Sequence, residues 1–289
     1  MARLRYFAAF CILAVLFFLR GLAFGTAVSI CIPVYNVEPW LPAALDSACN
    51  QTLRDIEIIC VDDGSTDGSL AILKSYAGKD PRIKVLENGK NRGTLYARVR
   101  AALASTGEYV LWLDPDDELF PDISEKTLAA AQRTGADIVF FNVEEIKKNE
   151  TLSPARWLLN VPPTGVAKDA AEIFPLIKER RLVHILCARL WRGDLMRAAA
   201  HGQLDFASKN HITSNEDALL FHFTVRKAKS YMVLSDIGYR YYRTHGGITV
   251  RKDGAIQKKK RADSAIVGKV IAAGKGDELL KKIFIGRLR

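Results

Sequence analysis

Residues 109–117 read YVLWLDPDD, an apolar run that ends in three carboxylates. The run is short, partly aromatic and β-branched, and it follows the turn-like residues 106–108, so it predicts a buried β-strand. Carboxylates gathered at the end of a buried strand repel one another and resist desolvation. A divalent cation would relieve that cost, and so would exposure of the cluster as a solvated acidic turn. These residues alone leave both interpretations open.

A second acidic strand end lies upstream. Residues 56–61 predict another buried strand, and Asp62 and Asp63 follow it directly. Strand patterns alternate with helical ones through the first 113 residues, which favours an α/β fold with a mostly parallel central sheet flanked by helices. The predicted strands are residues 27–32, 56–61, 83–86 and 109–113. Ligands of such sheets bind beyond the carboxyl ends of the strands, so we expect both acidic ends to face one crevice.

Five short motifs follow one another along the chain. They are IPVYN (32–36), LDS with NQT (45–52), VDDGSTD (61–67), NRG with AR (91–98) and DPDD (114–117). Their order and spacing resemble the nucleotide-binding half of family 2 glycosyltransferases with the GT-A fold. The resemblance is tight over residues 29–121 and weaker as far as residue 249. It implies a nucleotide-binding half followed by an acceptor-binding half.

The resemblance also implies residue roles. Pro33 and Tyr35 would line the base pocket, Asp63 would accept a hydrogen bond from uracil, and Asp62 would hold the loop or the ribose. The residues so assigned to nucleotide binding are Pro33, Tyr35, Asp62, Asp63, Arg98, Asp114 and His245. Asp114 and Asp116 form the Asp-x-Asp element, which implies Mg²⁺ or Mn²⁺ bound through the diphosphate. Asp114 would serve the ribose or a metal-bound water, and Asp117 is a less defined third carboxylate.

The catalytic base is expected in the second half. Residues 214–217 read SNED and precede an apolar run, which resembles the Glu-Asp motif of the family. The resemblance makes Asp217 the general base and Glu216 a supporting acid or acceptor ligand. By residue type alone, Ser214 or Asn215 is also a candidate N-cap of a helix whose first turn is acidic, and the two roles are compatible.

Residues 239–249 read YRYYRTHGGIT and resemble the closing strand and mobile loop of the family. His245 or Arg243 would reach the diphosphate when the loop closes, and two glycines would permit that movement. The alternative is a strand with cross-strand aromatic pairs that ends in a plain turn.

Positive charge is concentrated at the two ends of the chain. Residues 1–26 carry three basic residues and no acid, residues 251–289 carry twelve against four acids, and residues 27–250 have a net charge of −1. A basic segment binds nucleic acid or an anionic membrane surface. The sequence has no nucleic-acid module, so we expect no nucleic acid partner and favour the membrane. A solvated basic helix is the alternative.

The N-terminus is apolar over residues 6–19, shorter than the roughly 20 residues of a spanning helix. A membrane-associating helix, a signal peptide and an early start codon all fit it. The expected division is an apolar segment (1–26), a nucleotide-sugar half (27–121), an acceptor half (122–250) and a basic tail (251–289). The five cysteines, with no Cys-x-x-Cys, indicate neither a zinc site nor a disulfide framework.

The expected activity is inverting transfer of a sugar from a nucleotide-diphosphate sugar, with UDP favoured, to a hydroxyl of a saccharide or lipid-linked acceptor. Cell-surface polysaccharide or lipopolysaccharide synthesis at the inner face of the cell membrane, in the cytoplasm, is the expected setting. A nucleotidyltransferase is one alternative, but residues 33–38 lack the Gly-rich phosphate loop it needs. A non-catalytic, membrane-associated nucleotide-sugar-binding protein is the other.

Overall fold

The computed structural model describes residues 25–147, 152–155, 159–243 and 253–273. Its centre is one ten-stranded sheet with the main order β3-β2-β1-β4-β9-β6-β10-β5, while β7 pairs with β6 and β8 with β10. The strands are β1 (Thr26–Val34), β2 (Ile56–Asp62), β3 (Ile83–Glu87), β4 (Gly107–Trp112), β5 (Glu118–Leu119), β6 (Ile138–Ile146), β7 (Leu152–Pro154), β8 (Lys168–Asp169), β9 (Arg189–Arg192) and β10 (Ser230–Tyr242).

Helices lie between and after these strands. They are α1 (Leu41–Cys49), α2 (Ser69–Ala77), α3 (Thr94–Ala104), α4 (Ile123–Thr134), α5 (Ile173–Lys178), α6 (Gly193–Lys209), α7 (Asp217–Val225) and α8 (Gly254–Ala273), with a 3₁₀ turn at Ala170–Glu172. The four strands predicted from the sequence all form, and the α/β prediction is confirmed.

The first four strands are parallel, and β1 lies between β2 and β4. β2 is buried along its whole length, because helices cover both faces of this part of the sheet. Right-handed crossovers put α1 and α2 on one face and α3 on the other, where α3 packs against α6. Strand order therefore reverses between β1 and β4, which is where open α/β sheets bind ligands.

Beyond β4 the sheet becomes mixed. β9 runs antiparallel to β4 and β6, and β10 runs parallel to β6. The expected mostly parallel arrangement thus describes the first half, whereas the second half departs from it. The reason is that β9 begins at the carboxyl edge of β4 and therefore runs back along it in the opposite direction.

The expected segment boundaries fall at identifiable places. Residue 121 lies between β5 and α4, although the sheet runs on without a break, and the two-half division stays a prediction. Residues 1–24 lie outside the described residues. Helix α8 covers the first half of the basic tail and buries Val267 and Ile271. Within the described ranges, no helix combines the length and the apolar character that a bilayer crossing requires.

The cysteines of the described residues are free thiols. Cys31, Cys60 and Cys187 are buried and Cys49 is half-buried. Burial raises the pKa of the Cys60 thiol well above its ordinary value. These side chains pack as small apolar groups, as the sequence predicted.

Candidate active site

The carboxyl ends of β1, β2 and β4 meet at one edge of the sheet. The backbone N–H of Leu113 donates to the carbonyl of Cys31 at 3.1 Å, and the N–H of Asp63 donates to the carbonyl of Val34 at 2.8 Å. The loops that follow the three strands are therefore neighbours. This geometry brings the two acidic strand ends to the same crevice.

Arg98 joins the two halves of the site. It lies on α3 with 3% of its surface exposed. Its Nη2 is 2.8 Å from Oδ1 of Asp114, and its Nε lies 2.9 Å from Oδ1 of Asp217 and 3.3 Å from Oε1 of Glu216. The third guanidinium nitrogen, Nη1, is buried and makes no hydrogen bond to the described residues. One cation thus balances only part of the charge of three carboxylates.

Asp217 is a carboxylate whose pKa lies close to neutral pH. Burial raises its pKa to about 7; Arg98 opposes that rise, while Glu216 and Asp114 add to it. The backbone N–H of Leu186 contributes a weak hydrogen bond to Oδ2 at 3.4 Å. A group with this pKa accepts and releases a proton near neutral pH, as a general base requires.

The structure corrects the capping alternative for this segment. Glu216 occupies the N-cap position of α7 and makes no side-chain capping bond, so neither Ser214 nor Asn215 is the cap. Asn215 instead adopts a left-handed conformation with φ of 61°. That turn places Glu216 and Asp217 beside Arg98, and Asp217 still lies in the first helical turn, where the helix dipole favours negative charge.

Arg189, which the sequence did not single out, holds the loop that contains Leu186 by hydrogen bonds. Its buried guanidinium donates to the carbonyls of Cys187 (2.7 Å) and Val183, on either side of Leu186. Trp191 on β9 is fully buried and donates from Nε1 to the carbonyl of Leu186 at 2.9 Å. It packs and does not face a sugar.

Asp116 and Asp117 differ in what surrounds them. Asp117 is buried and accepts hydrogen bonds from the Tyr239 hydroxyl at 2.8 Å and from the Tyr242 N–H at 2.9 Å. Burial and the charges of Asp116 and Asp114 raise its pKa well above the ordinary range. Burial, and then Asp114, raise the pKa of Asp116 to about 6. Tyr239 ties the loop together, because its hydroxyl also accepts the N–H of Asp114 at 3.1 Å.

The carboxylates of the Asp-x-Asp loop suit a cation that is held mainly by phosphate oxygens of the substrate. In the described part of the chain, no three His, Cys, Asp or Glu side chains are grouped as a full metal site requires. Asp114 is paired with Arg98, and both oxygens of Asp117 have partners. The raised pKa of Asp116 shows the local cost of its charge, which a cation would offset. One or two carboxylates with phosphate oxygens is the usual way that proteins hold Mg²⁺.

A cleft of about 390 Å³ opens next to this cluster. Its lining combines loops after β1, β2 and β3 with residues before α7 and on α8. The lining residues are Tyr35, Asp63, Asn91, Thr94, His211, Thr213, Ser214, Ala255, Ile256 and Lys259. Its volume lies within the range of small-molecule sites.

Asp63 is the buried acid of this cleft. Its Oδ1 accepts hydrogen bonds from Asn88 Nδ2 at 2.6 Å and from the Arg92 N–H at 3.0 Å, and its Oδ2 accepts the Gly93 N–H at 2.9 Å. Burial raises its pKa, although these three donors lower it in part. Each carboxylate oxygen accepts about two hydrogen bonds, so Oδ2 keeps capacity for a ligand donor.

The other residues expected to bind the nucleotide have different surroundings from those of Asp63. Asp62 accepts the N–H groups of Gly64 at 3.1 Å and Ser65 at 3.2 Å, so it holds its own loop. Pro33 is buried within β1 and is not part of the cleft lining. His245 lies outside the described residues.

The sequence did not indicate Tyr239 as a partner of the Asp-x-Asp loop, Arg189, or the cleft contacts of α8. Two of these features join residues far apart in the chain: Tyr239 and Asp114 are 125 positions apart, and Lys259 of α8 and His211 are 48 positions apart. The bonds of Arg189 are close in sequence, but they depend on the shape of the loop between Val183 and Cys187. No local pattern signals such a pairing. Only Arg189 offered a local signal, as a charged residue at the start of β9 whose next two residues are apolar.

Comparisons with known proteins agree with this geometry. The family model described as Glycosyl transferase family 2 matches residues 29–186. The poly(ribitol-phosphate) beta-glucosyltransferase of Bacillus spizizenii is 30% identical over 217 residues, which are 74% of this chain and 32% of that protein. This chain spans between 32% and 49% of the length of three curated relatives that it matches.

Solved structures show the same fold. S. aureus TarS 1-349 in complex with UDP-GlcNAc superimposes with a TM-score of 0.66 at 19% identity, over 91% of this chain and 71% of that one. The mannosyltransferase PcManGT of Pyrobaculum calidifontis, in complex with GDP-Man and Mn²⁺, gives 0.55 at 18% identity over 91% and 69%. The fold is therefore GT-A. With the match of the family model to more than half of its length, this chain belongs to glycosyltransferase family 2.

Proposed function

We propose that this glycosyltransferase moves a sugar from a nucleotide-diphosphate donor, UDP-linked in the first instance, to an acceptor hydroxyl with inversion. The observation that carries the proposal is the Arg98 junction. Through it Asp114, on the Asp-x-Asp loop, and Asp217, a buried carboxylate with its pKa near neutrality, contact one guanidinium. The donor side and the base side of the reaction thus meet at one residue.

These positions support the following reaction. Asp217 takes the proton of the acceptor hydroxyl as that oxygen forms a bond to the anomeric carbon. The bond from that carbon to the diphosphate oxygen breaks, and the nucleoside diphosphate leaves with the electron pair. One base and one displacement invert the configuration, and no second carboxylate acts as a nucleophile. Glu216 is held beside Asp217 by the same arginine. It would act as a supporting acid or as a ligand of the acceptor.

Asp116, with Asp114, would hold Mg²⁺ or Mn²⁺ together with the diphosphate of the donor. The cation would neutralise charge on the leaving diphosphate. Mn²⁺ is bound by the structurally similar PcManGT, and UDP-GlcNAc by TarS, which supports both the cation and a UDP-linked donor. Asp63 would accept a hydrogen bond from the base through Oδ2, and Tyr35 and His245 would complete the nucleotide site.

The acceptor is proposed to be a saccharide or a lipid-linked saccharide of a cell-surface polymer. The name of the Bacillus spizizenii relative, a poly(ribitol-phosphate) beta-glucosyltransferase, supports a surface polymer of this general kind. The nucleotidyltransferase alternative has no supporting observation. A non-catalytic binding protein would not need a buried base coupled to the Asp-x-Asp loop.

Peripheral association with the inner face of the cell membrane is proposed from the basic tail. On α8, Lys258 and Arg261 are exposed, whereas Lys259 is engaged by Asp263. We expect sedimentation with phosphatidylglycerol vesicles that weakens with salt, and little with phosphatidylcholine vesicles. Retention of full vesicle binding in a Lys258→Glu, Arg261→Glu double variant would contradict this role for α8.

The transfer is tested by nucleotide release. The full chain is incubated with a panel of UDP-, GDP-, dTDP- and CMP-sugars, with Mg²⁺ or Mn²⁺ or with a chelator. We expect release from one donor class, lost with the chelator and strongly reduced by Asp116→Asn. Nucleotide binding without release under any acceptor mixture would favour the non-catalytic binding protein.

A further inference from the structure

Helix α8 forms part of the cleft, although it comes from the basic tail. Ala255, Ile256 and Lys259 of α8 line the same cleft as Tyr35 and Asp63. The helix lies there because Val267 and Ile271, two and three turns further along, are buried against the rest of the protein. The cleft is thus closed on one side by the last helix that the structure describes.

The lining of the cleft is chemically divided. Asp63, Asn91, His211, Thr213 and Ser214 supply polar groups, and Ala255 and Ile256 of α8 supply apolar ones, together with the half-exposed ring of Tyr35. A flat heterocycle with hydrogen-bonding edges and apolar faces matches such a division. The nucleoside of a nucleotide-diphosphate donor has this chemistry, whereas a lipid chain lacks the hydrogen-bonding edges.

The Lys259–Asp263 salt bridge, here called the clasp, attaches α8 to the segment before α7, the helix that begins at Asp217. Lys259 Nζ donates to the carbonyl of His211 at 2.9 Å and lies 3.0 Å from Oδ1 of Asp263. Asp263 is buried, and its Oδ2 accepts the N–H of Thr213 at 2.9 Å. Both partners of this salt bridge therefore also bind the backbone of residues 211–213.

The same segment contacts the donor side of the site. His211 Nε2 lies 2.6 Å from Oδ1 of Asn91, and the N–H of Leu95 donates to the carbonyl of Ile212 at 3.1 Å. Leu95 is in the first turn of α3, the helix that carries Arg98. The clasp thus holds α8 in a fixed position relative to both the cleft and the Arg98 junction.

We propose that α8 is the apolar wall of the donor nucleoside site, with Ile256 against the nucleoside and the Lys259–Asp263 clasp holding that wall in place. The proposal rests on the proposed function, because it assumes a nucleotide donor in this cleft. It assigns to the basic tail a role in donor selection that is separate from any membrane contact.

The wall is tested with two tryptophan variants on the same helix. Ile256→Trp fills the cleft and is expected to weaken UDP binding by about tenfold or more. Ile266→Trp adds the same bulk at an exposed position outside the cleft and is expected to leave UDP affinity unchanged. Calorimetric titration of the full chain with UDP and Mn²⁺ measures both, and thermal unfolding confirms that each variant is folded.

The clasp is tested with Lys259→Met against Lys269→Met, an exposed lysine on the same helix. Lys259→Met removes the cation beside the buried Asp263 carboxylate and the bond to the His211 carbonyl, which loosens α8 from residues 211–213. We therefore expect about a tenfold loss of UDP affinity below the unfolding temperature. Lys269→Met should bind as the wild type does. A lower unfolding temperature with unchanged UDP affinity would reduce the clasp to a structural element and overturn this part of the proposal.

The outcomes separate this inference from the proposed function. If the wild type binds no nucleotide, both fail. If the wild type binds UDP and releases nucleotide, but Ile256→Trp binds UDP equally well, the proposed function stands and the nucleoside wall is overturned.

Discussion

At the level of single residues, the proposed sugar transfer requires Asp217 to be ionised when the acceptor hydroxyl reacts. Burial raises the pKa of Asp217 to about 7, and Arg98 keeps it from rising further. Below that pH the folded protein holds a proton on the base, so the active fraction falls as pH falls. Above it the carboxylate is ionised and the rate becomes independent of this group.

We therefore predict an acid limb in the pH profile of kcat/KM. The rate should fall by about tenfold for each pH unit below neutrality and level off above it, because only the ionised base accepts the proton. Nucleotide release measured across the acid and neutral range checks this. A profile that is already flat below pH 6 would show that Asp217 does not act as the base.

Arg98→Lys should move that limb to higher pH. A lysine keeps one positive charge but loses the planar fork that contacts Asp114, Glu216 and Asp217 together. Weaker stabilisation of the Asp217 carboxylate raises its pKa. The control is Arg197→Lys, whose guanidinium binds the backbone carbonyl of Gly107, at the other end of β4. An Arg98→Lys profile that superimposes on the wild type would contradict the junction.

At the scale of elements, short contiguous patterns were readable and long-range pairings were not. The strands that end in Asp63 and Asp114 were predictable, because apolar runs followed by acids are local signals. The antiparallel direction of β9 and the packing of α8 against the cleft were not predictable, since each depends on surfaces formed by residues distant in the chain. Arg189 shows the same limit: its hydrogen bonds to the carbonyls of Val183 and Cys187 depend on a loop shape that its neighbours in sequence do not specify.

Gly93 marks a junction between elements that only glycine fits. Its φ is 92°, and a Cβ there would lie 2.7 Å from the carbonyl oxygen of Ile212. Gly89 also has a positive φ, 72°, but a Cβ there would meet nothing within 4 Å. We expect Gly89→Ala to cost roughly 1 kcal/mol of the free energy of unfolding, from backbone strain alone. Gly93→Ala should cost clearly more, because the segment at Ile212 must also move.

Denaturant unfolding of both variants measures this difference. Equal losses of the free energy of unfolding would mean that the α3 terminus and the segment at Ile212 do not pack as closely as described. Gly93→Ala should also weaken UDP binding, because the Gly93 N–H holds Oδ2 of Asp63.

At the scale of the whole molecule, the two halves share one sheet and one charged junction. The family match and the sequence motifs agree on the first half, which contains most of residues 29–186. The second half contributes Asp217 and the loop at Leu186, and the basic tail contributes the α8 side of the cleft. The sequence predicted the first of these from a four-residue motif. The other two follow from tertiary packing, and the sequence did not predict them.

The role of Asp217 as the base is tested by metal-dependent nucleotide release by the wild type and by Asp217→Asn, with UDP binding of both measured by calorimetry. Asparagine keeps the shape of the side chain but accepts no proton. We predict that both proteins bind UDP alike and that release by Asp217→Asn is about a hundredfold slower or more. Equal release by the two proteins would contradict the assignment of the catalytic base.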